Sequence, residues 1–454
     1  MEGIIKGILD FSDWLWGIPM LVILVGGSLF LTIRLGFIQF RHFGFAMKET
    51  FGRIFYKQEG EGTVTPFQAA TAALASTIGA SNIVGVPVAI AFGGPGAVFW
   101  MWVVALIGCA AKISEIVLGI RYREKNADGE YVGGPMYYLR GIKGGLGKAL
   151  SAIFAFFLMI ELIPSIAAQA LSAVQTASTI NIPNYVVAAL LVVLVGLVVF
   201  GGLKRIGTFT EKLVPFMALL YIFGGLIIIF SNIGNLPGVI ASIFKHAFTP
   251  AAAVGGFGGA AVAQAIRWGT ARGVYSNEAG MGTAPIAHSG AITDHPVRQS
   301  MWGVFEIVVD TLIVCTITAF VVLSSGLYEV VTSDEAASIP ARAFQALMGE
   351  TIGGGIVTLS IFLFVLSTII VITYYGKTQA EFLFGKMFGN FMVIVYLAAI
   401  VGGAYLNLGF IYRFLDILLA TIIIPNMIGL VLLSGEVKTL KDEFFADPRY
   451  LKRN

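Results

Sequence analysis

About eleven apolar runs, each long enough to cross a bilayer, make up most of this chain and leave it few possible folds. They are 14–35, 65–91, 96–120, 149–178, 185–203, 210–231, 251–272, 300–325, 353–375, 388–406 and 413–434. Inside lipid no water satisfies backbone N–H and C=O groups, so runs of this length fold as helices. Composition points the same way: 57% of residues are hydrophobic and 12% charged, against about 25% charged in soluble domains. The expected fold is all-α, a polytopic membrane protein with about eleven transmembrane helices. Two more segments, 235–248 and 336–350, are amphipathic and are expected to lie on, or dip into, one membrane face.

The same residues exclude several functions. A net charge of +3 is too small for a nucleic-acid binder. Cys109 and Cys315 sit in apolar runs and read as small hydrophobes, with no disulfide framework. His42, His246, His288 and His295 show no metal-ligand spacing. No nucleophile–base arrangement, phosphate loop or metal motif marks an enzyme. The first apolar run is long enough to span and has no clear small-residue cleavage site after it, so it reads as a span and not a signal peptide.

Charge sets the orientation. Segments 36–64, 121–148, 204–212, 273–299, 376–387 and 435–454, with the span-end residues Arg34, Arg267 and Arg272, hold nearly all the basic residues. The exceptions among the 29 Lys and Arg are Lys6, Lys112, Lys245, Arg342 and Arg413. The positive-inside rule makes that side cytoplasmic. The chain is then expected in the cell membrane with its N-terminus outside and its C-terminus inside.

Internal organisation follows from where the spans are interrupted. After residues 1–64, an extra helix and its cytoplasmic linker, ten spans divide as five plus five. The first repeat is 65–231 and the second 232–434, with a solvated tail at 435–454. An odd number per repeat inverts one relative to the other. Each repeat opens on an interrupted span: Ala75-Ser76-Thr77-Ile78-Gly79-Ala80-Ser81-Asn82 in the first, Gly255-Gly256-Phe257-Gly258-Gly259 in the second. Paired interruptions point to a secondary transporter's binding site, because freed N–H groups attract a carboxylate and freed carbonyls a cation. Small residues also allow close helix packing, and on its own Gly255–Gly259 fits either reading. At 75–82 the polar cluster favours a break, since lipid offers it no partners.

Residues 93–108, Gly-Gly-Pro-Gly-Ala-Val-Phe-Trp-Met-Trp-Val-Val-Ala-Leu-Ile-Gly, carry the sharpest signal. Physically they are a hairpin tip: Gly and Pro make the turn, and Trp100 and Trp102 suit a membrane–water interface. Over all sixteen residues the string resembles the signature of the alanine or glycine:cation symporter family. That resemblance implies a LeuT-type fold, a 5+5 inverted repeat preceded by one N-terminal helix. It implies sodium-coupled symport of small neutral amino acids, alanine or glycine, by alternating access. Na+ is then the co-transported ion and the bilayer the partner; a monomer suffices, though the sequence leaves the oligomeric state open. Two alternatives stay in view: a proton-coupled transporter of the same fold, using Glu161, Glu306 or Asp310, and a sensor or channel on a transporter scaffold.

The resemblance also implies a site. One sodium ion is expected between the carbonyls of Ala75 and Ile78 and the hydroxyls of Ser367 and Thr368, an all-oxygen set that suits a hard cation. Read without the resemblance, those hydroxyls bond back to carbonyls one turn earlier. A substrate carboxylate is expected on the N–H groups around Gly79, Ala80 and Ser81, in a break that also holds Thr77. Asn82 matches a residue that holds a second sodium in some relatives, or else caps the resumed helix. Gln169, on a face with Ser165 and Ser172, reaches a substrate headgroup or a neighbouring helix. Phe257 and Ile372 are candidate pocket walls. One methylene changes binding by about 1–3 kcal/mol, so alanine and glycine are not ranked.

The stretch Arg272–Gly282 is too apolar for a cytoplasmic loop and too charged for a span. It is read as a packed inner gate, with the second break at 255–259; the other reading moves that break here and lets Met281 line the pocket. Lys112 and Glu115, three apart, are expected to pair locally. Glu306 and Asp310, four apart on one face, form either a proton relay or a contact to Arg267 or Arg272. Glu161 and Asp416 have no assigned partner.

Overall fold

A computed structural model describes residues 7, 11–12, 14–54, 59–249, 258–329, 338–405 and 408–451. The expected runs are helical there. The N-terminal run forms α1, Ile18–Arg34, followed by the short α2, Phe43–Thr50. Thr65 starts the next span with a reciprocal cap: its hydroxyl accepts from the Gln68 N–H and the Gln68 side chain accepts from its own. This helix, α3, is Pro66–Thr77. It stops at Ile78 and resumes as α4, Ser81–Gly93, bent by 46°. The run continues through α5 (Gly96–Arg121), α6 (Gly145–Ser178), α7 (Asn184–Val199) and α8 (Gly202–Ser231).

The amphipathic segment at 235–248 is α9, Leu236–Phe248. Helix α10 is Gly258–Asn277, and a short α11, Ala284–His288, follows. Then come α12 (Pro296–Ser325), α13 (Ile339–Phe384), α14 (Lys386–Gly403), α15 (Leu408–Leu432) and α16 (Ser434–Ala446). A positive φ at Gly349 separates the amphipathic start of α13 from its spanning part.

By length and apolarity, seven of the described helices qualify as spans, or eight with the bent pair α3–α4. Two shorter apolar helices, α1 and α7, add to them. Helix α10 stands apart: it covers much of the expected span 251–272 but carries Gln264, Arg267 and Arg272, and does not qualify. Helix α5 is the buried axis and packs on α1, α10 and α12. Helix α6 packs on α13, α14 and α15. Lipid-facing apolar residues such as Phe223 and Ile394 stay exposed, 61% each.

The hairpin at 93–108 does more than anchor at an interface. A Cβ on Gly96 would come within 2.4 Å of the His246 backbone, so the turn admits the end of α9 only because residue 96 is glycine. Trp100 Nε1 donates to Ala247 O at 3.2 Å and Trp102 Nε1 to Thr316 Oγ1 at 2.8 Å. The two indoles therefore tie α5 to α9 and α12. At the start of α12, His295 accepts from the Val297 N–H at 3.2 Å. Burial pushes its imidazole down to about 4, which keeps that acceptor neutral near pH 7.

Candidate functional site

Five elements meet around one small interior cavity. The break between α3 and α4 contributes Ser76 and Ser81, α6 contributes Glu161, Ser165 and Gln169, and α13 contributes Thr368 and Ile372. Tyr275 of α10 and the segment after it, with Glu278, Met281 and Thr283, close another side, and Leu419 of α15 completes it. The cavity holds about 30 Å³, room for about two waters. An amino acid enters only if the surrounding helices move apart.

At the first break the freed carbonyls meet a hydroxyl from across the bundle. Thr368 Oγ1 lies 2.8 Å from Ala75 O and 3.4 Å from Ile78 O. Three oxygens thus converge from α3 and α13, all of a kind that suits a hard monovalent cation. Ser367 is turned elsewhere: its hydroxyl donates to Phe364 O at 2.9 Å and touches Met217 Sδ. That is the back-bonded geometry the residues alone suggest. Thr77 likewise bonds back to Leu74 O at 3.1 Å.

The freed N–H groups already have acceptors. Gly79 N donates to Asn82 Oδ1 at 3.0 Å and Ala80 N to Gln169 Oε1 at 3.1 Å. Two amide oxygens therefore sit where a carboxylate oxygen would be drawn. Asn82 also ties the break to α10 and α12: its Nδ2 donates to Asp310 Oδ1 at 2.6 Å and to Ser276 Oγ at 3.0 Å.

A second interruption follows α10. Gly255, Gly256 and Phe257 fall outside the described residues, and from Gly258 the helix runs unbroken to Asn277. The described interruption is at 278–283. Glu278 holds φ 56°, a left-handed conformation rare outside glycine, and Gly280 and Gly282 hold φ 90° and 82°. The cause is a set of distant partners. Asn426 of α15 bridges Gly280 O at 2.9 Å and Glu115 Oε1 at 2.7 Å, while Glu115 accepts the Gly282 N–H at 2.9 Å. Glu278 Oε2 accepts from Ser76 and Thr283, at 3.1 and 2.6 Å, linking the two breaks directly. Met281 accordingly lines the cavity.

The buried charges also choose long-range partners. Lys112 pairs with Glu306 at 3.1 Å and not with Glu115. Glu306 in turn meets His288 at 2.5 Å, and Asp310 is held by Asn82, Ser276 and Thr311; the expected contacts of this pair to Arg267 or Arg272 are replaced by these. Of the cavity residues, Ser76, Leu162, Ser165, Tyr275, Glu278, Thr283 and Leu419 lie outside the substrate and sodium sets expected from the sequence, and Glu161 enters there only as a proton-coupling candidate. For Glu161 the signal was present, an intramembrane carboxylate without a partner in sequence.

A broken helix and a second interruption lining one cavity, with a third helix's hydroxyl on the first break, make the arrangement of a membrane transporter's binding site. The chain belongs to the sodium:alanine symporter family, whose profile matches residues 1–453. It is 41% identical over 432 residues to the sodium/alanine symporter AgcS of Methanococcus maripaludis, covering 94% of each chain. It is 39% identical over 385 residues to the putative sodium/proton-dependent alanine carrier protein YrbD of Bacillus subtilis, covering 81% of this chain and 77% of that one. The crystal structure of MhsT in complex with L-phenylalanine superposes with a TM-score of 0.62 at 13% identity, over 86% of this chain and 98% of that one. The shared fold is the LeuT type.

Proposed function

We propose that this protein couples Na+ to the uptake of small neutral amino acids, alanine or glycine, by alternating access between the repeats 65–231 and 232–434. The observation that carries the reading is the convergence of Thr368 Oγ1 on Ala75 O and Ile78 O. Na+ is cargo there: it would replace the hydroxyl's hydrogen bonds with three oxygen ligands. The substrate carboxylate would displace the amide oxygens from Gly79 N and Ala80 N, with Gln169 then free to turn to the headgroup. Ser81, Ile372 and Met281 would shape the rest of the pocket. Among the described residues its walls carry Glu161 and Glu278 and no Lys, Arg or His, which suits an ammonium and also supports the second reading, proton coupling. Uptake of labelled alanine into vesicles at clamped pH separates the two: accumulation must follow the Na+ gradient and ignore a pH gradient.

Thr368→Val keeps the shape and removes one oxygen. Its apparent Na+ affinity is expected to fall about tenfold or more, as for the loss of one ligand to a charge. Alanine affinity falls with it, because linked ligands weaken together. Unchanged Na+ dependence in the well-expressed variant rules out this cation position.

The proposed orientation puts the N-terminus outside. Ala127 sits in an exposed loop beside Asp128, whose carboxylate pairs with Lys386 at 2.8 Å. Both native cysteines are buried, so Ala127→Cys supplies the reactive thiol. Impermeant maleimide should label it only from the cytoplasmic side; labelling in intact cells reverses the orientation.

A further inference from the structure

A groove of about 590 Å³ opens on the outer surface between the end of α7 and the start of α8. It shares none of the cavity's lining residues. Arg205, Thr208 and Lys212 line it, together with Phe209, Leu213 and Phe216. Along α8 the positions 205, 208/209, 212 and 216 recur at helical spacing, so they form one stripe. Arg205 and Lys212 are seven residues apart, about 10 Å along the axis.

The basic end of this groove is built. Arg205 Nη1 donates to Leu197 O at 2.8 Å, at the carbonyl end of α7. A Cβ on Gly201 would lie 2.4 Å from Arg205 Cδ, so the arginine folds over the turn only because residue 201 is glycine. Gly202, at φ 67°, makes that turn, and a Cβ on it would lie 3.6 Å from Glu130 Oε2 of the 122–134 loop. Glu211, the adjacent acid on α8, is not among the lining residues.

Beyond Phe216 the stripe turns wholly apolar and stays uncovered. Phe216, Phe223, Ile227 and Phe230 are 57%, 61%, 53% and 62% exposed. A cationic pocket continued by an open apolar track matches one amphiphile: an anionic headgroup with an acyl chain. We propose that this groove binds an anionic phospholipid, its phosphate between Arg205 and Lys212 and its chain along Phe209, Phe216 and Phe223. Phosphate oxygens suit the guanidinium fork as a bidentate partner and the ammonium as a point charge.

The test uses the full-length protein in lipid nanodiscs and detergent, with phosphatidylglycerol as the probe and phosphatidylcholine as the neutral comparison. Native mass spectrometry counts retained lipid across a titration. Arg205→Gln/Lys212→Gln is expected to weaken phosphatidylglycerol retention about 30-fold, from about tenfold per 1.4 kcal/mol and about 1 kcal/mol per basic residue. Phosphatidylcholine retention should not change. Lys143→Gln/Lys148→Gln, two exposed basic residues elsewhere, serves as the control and should keep wild-type retention. Equal losses in the two double variants, or wild-type retention in the first, overturn the site. If the Arg205 change disturbs the α7–α8 turn, Lys212→Gln alone carries the test, with about a fivefold loss expected.

Discussion

Gly79→Leu is expected to abolish alanine binding in a protein that still folds. A Cβ at residue 79 would stand 2.8 Å from Thr368 Oγ1 and 3.0 Å from Gln169 Nε2. The first contact is closer than real Cβ atoms come and the second is tighter than most, and both fall on groups given a ligand role above. The glycine is thus where the proposed cation ligand and the proposed headgroup ligand press on the backbone together. Leucine pushes both aside and fills a cavity of about 30 Å³. The fold tolerates the change better than the site does, because the displaced groups are side-chain ends and leucine is at home in a membrane helix. Gly79→Ala places the same Cβ without the bulk and should show the same loss in weaker form. Melting temperature and ligand-induced thermal shift, read on one purified sample, decide the matter. A lowered melting temperature with alanine affinity kept means that Gly79 only eases packing. The substrate then lies nearer Glu278 and Met281.

The two breaks differ in how far sequence reveals them. At 75–82 the signal is local: Ser76, Thr77, Ser81 and Asn82 have no partners in lipid, and the helix does end at Thr77. The interruption after Asn277 is set by contacts 146 and 167 residues away in the chain. Asn426 reaches it from α15 and Glu115 from α5, and neither is visible from the glycines of 278–283. A glycine cluster such as 255–259 carries the same local signal whether it breaks a helix or packs one, so the choice between 255–259 and 272–282 could not be made from spacing. Charge pairing fails for the same reason. Spacing of three puts Lys112 and Glu115 on one face, but in the interior each charge needs several hydrogen bonds, and a neighbour on the same helix supplies few. Gln169 illustrates the middle case. Its face was legible; that its amide oxygen holds the Ala80 N–H depends on how α6 docks against the break.

Lys112→Met should be among the most destabilising single changes in the chain, by about 3–5 kcal/mol. The ammonium is fully buried, pairs with Glu306 Oε2 at 3.1 Å and donates to Asn277 O at 2.9 Å. Methionine fills much of the space but strands the Glu306 carboxylate, and it releases the last carbonyl of α10 just before the second break. Glu306 would keep only His288, whose other nitrogen is engaged by Gln299 at 2.9 Å. Neutralising the stranded acid should restore much of the loss, so Lys112→Met/Glu306→Gln is expected to melt above Lys112→Met alone. That non-additivity is the signature of a direct buried pair. The same double variant separates structure from transport. If Lys112, Glu306 and His288 only hold α5, α11 and α12 together, the refolded double variant keeps Na+-driven alanine uptake at an unaltered pH profile. If instead they relay protons, it folds and loses pH-driven uptake, and the second reading of the cavity gains its pathway.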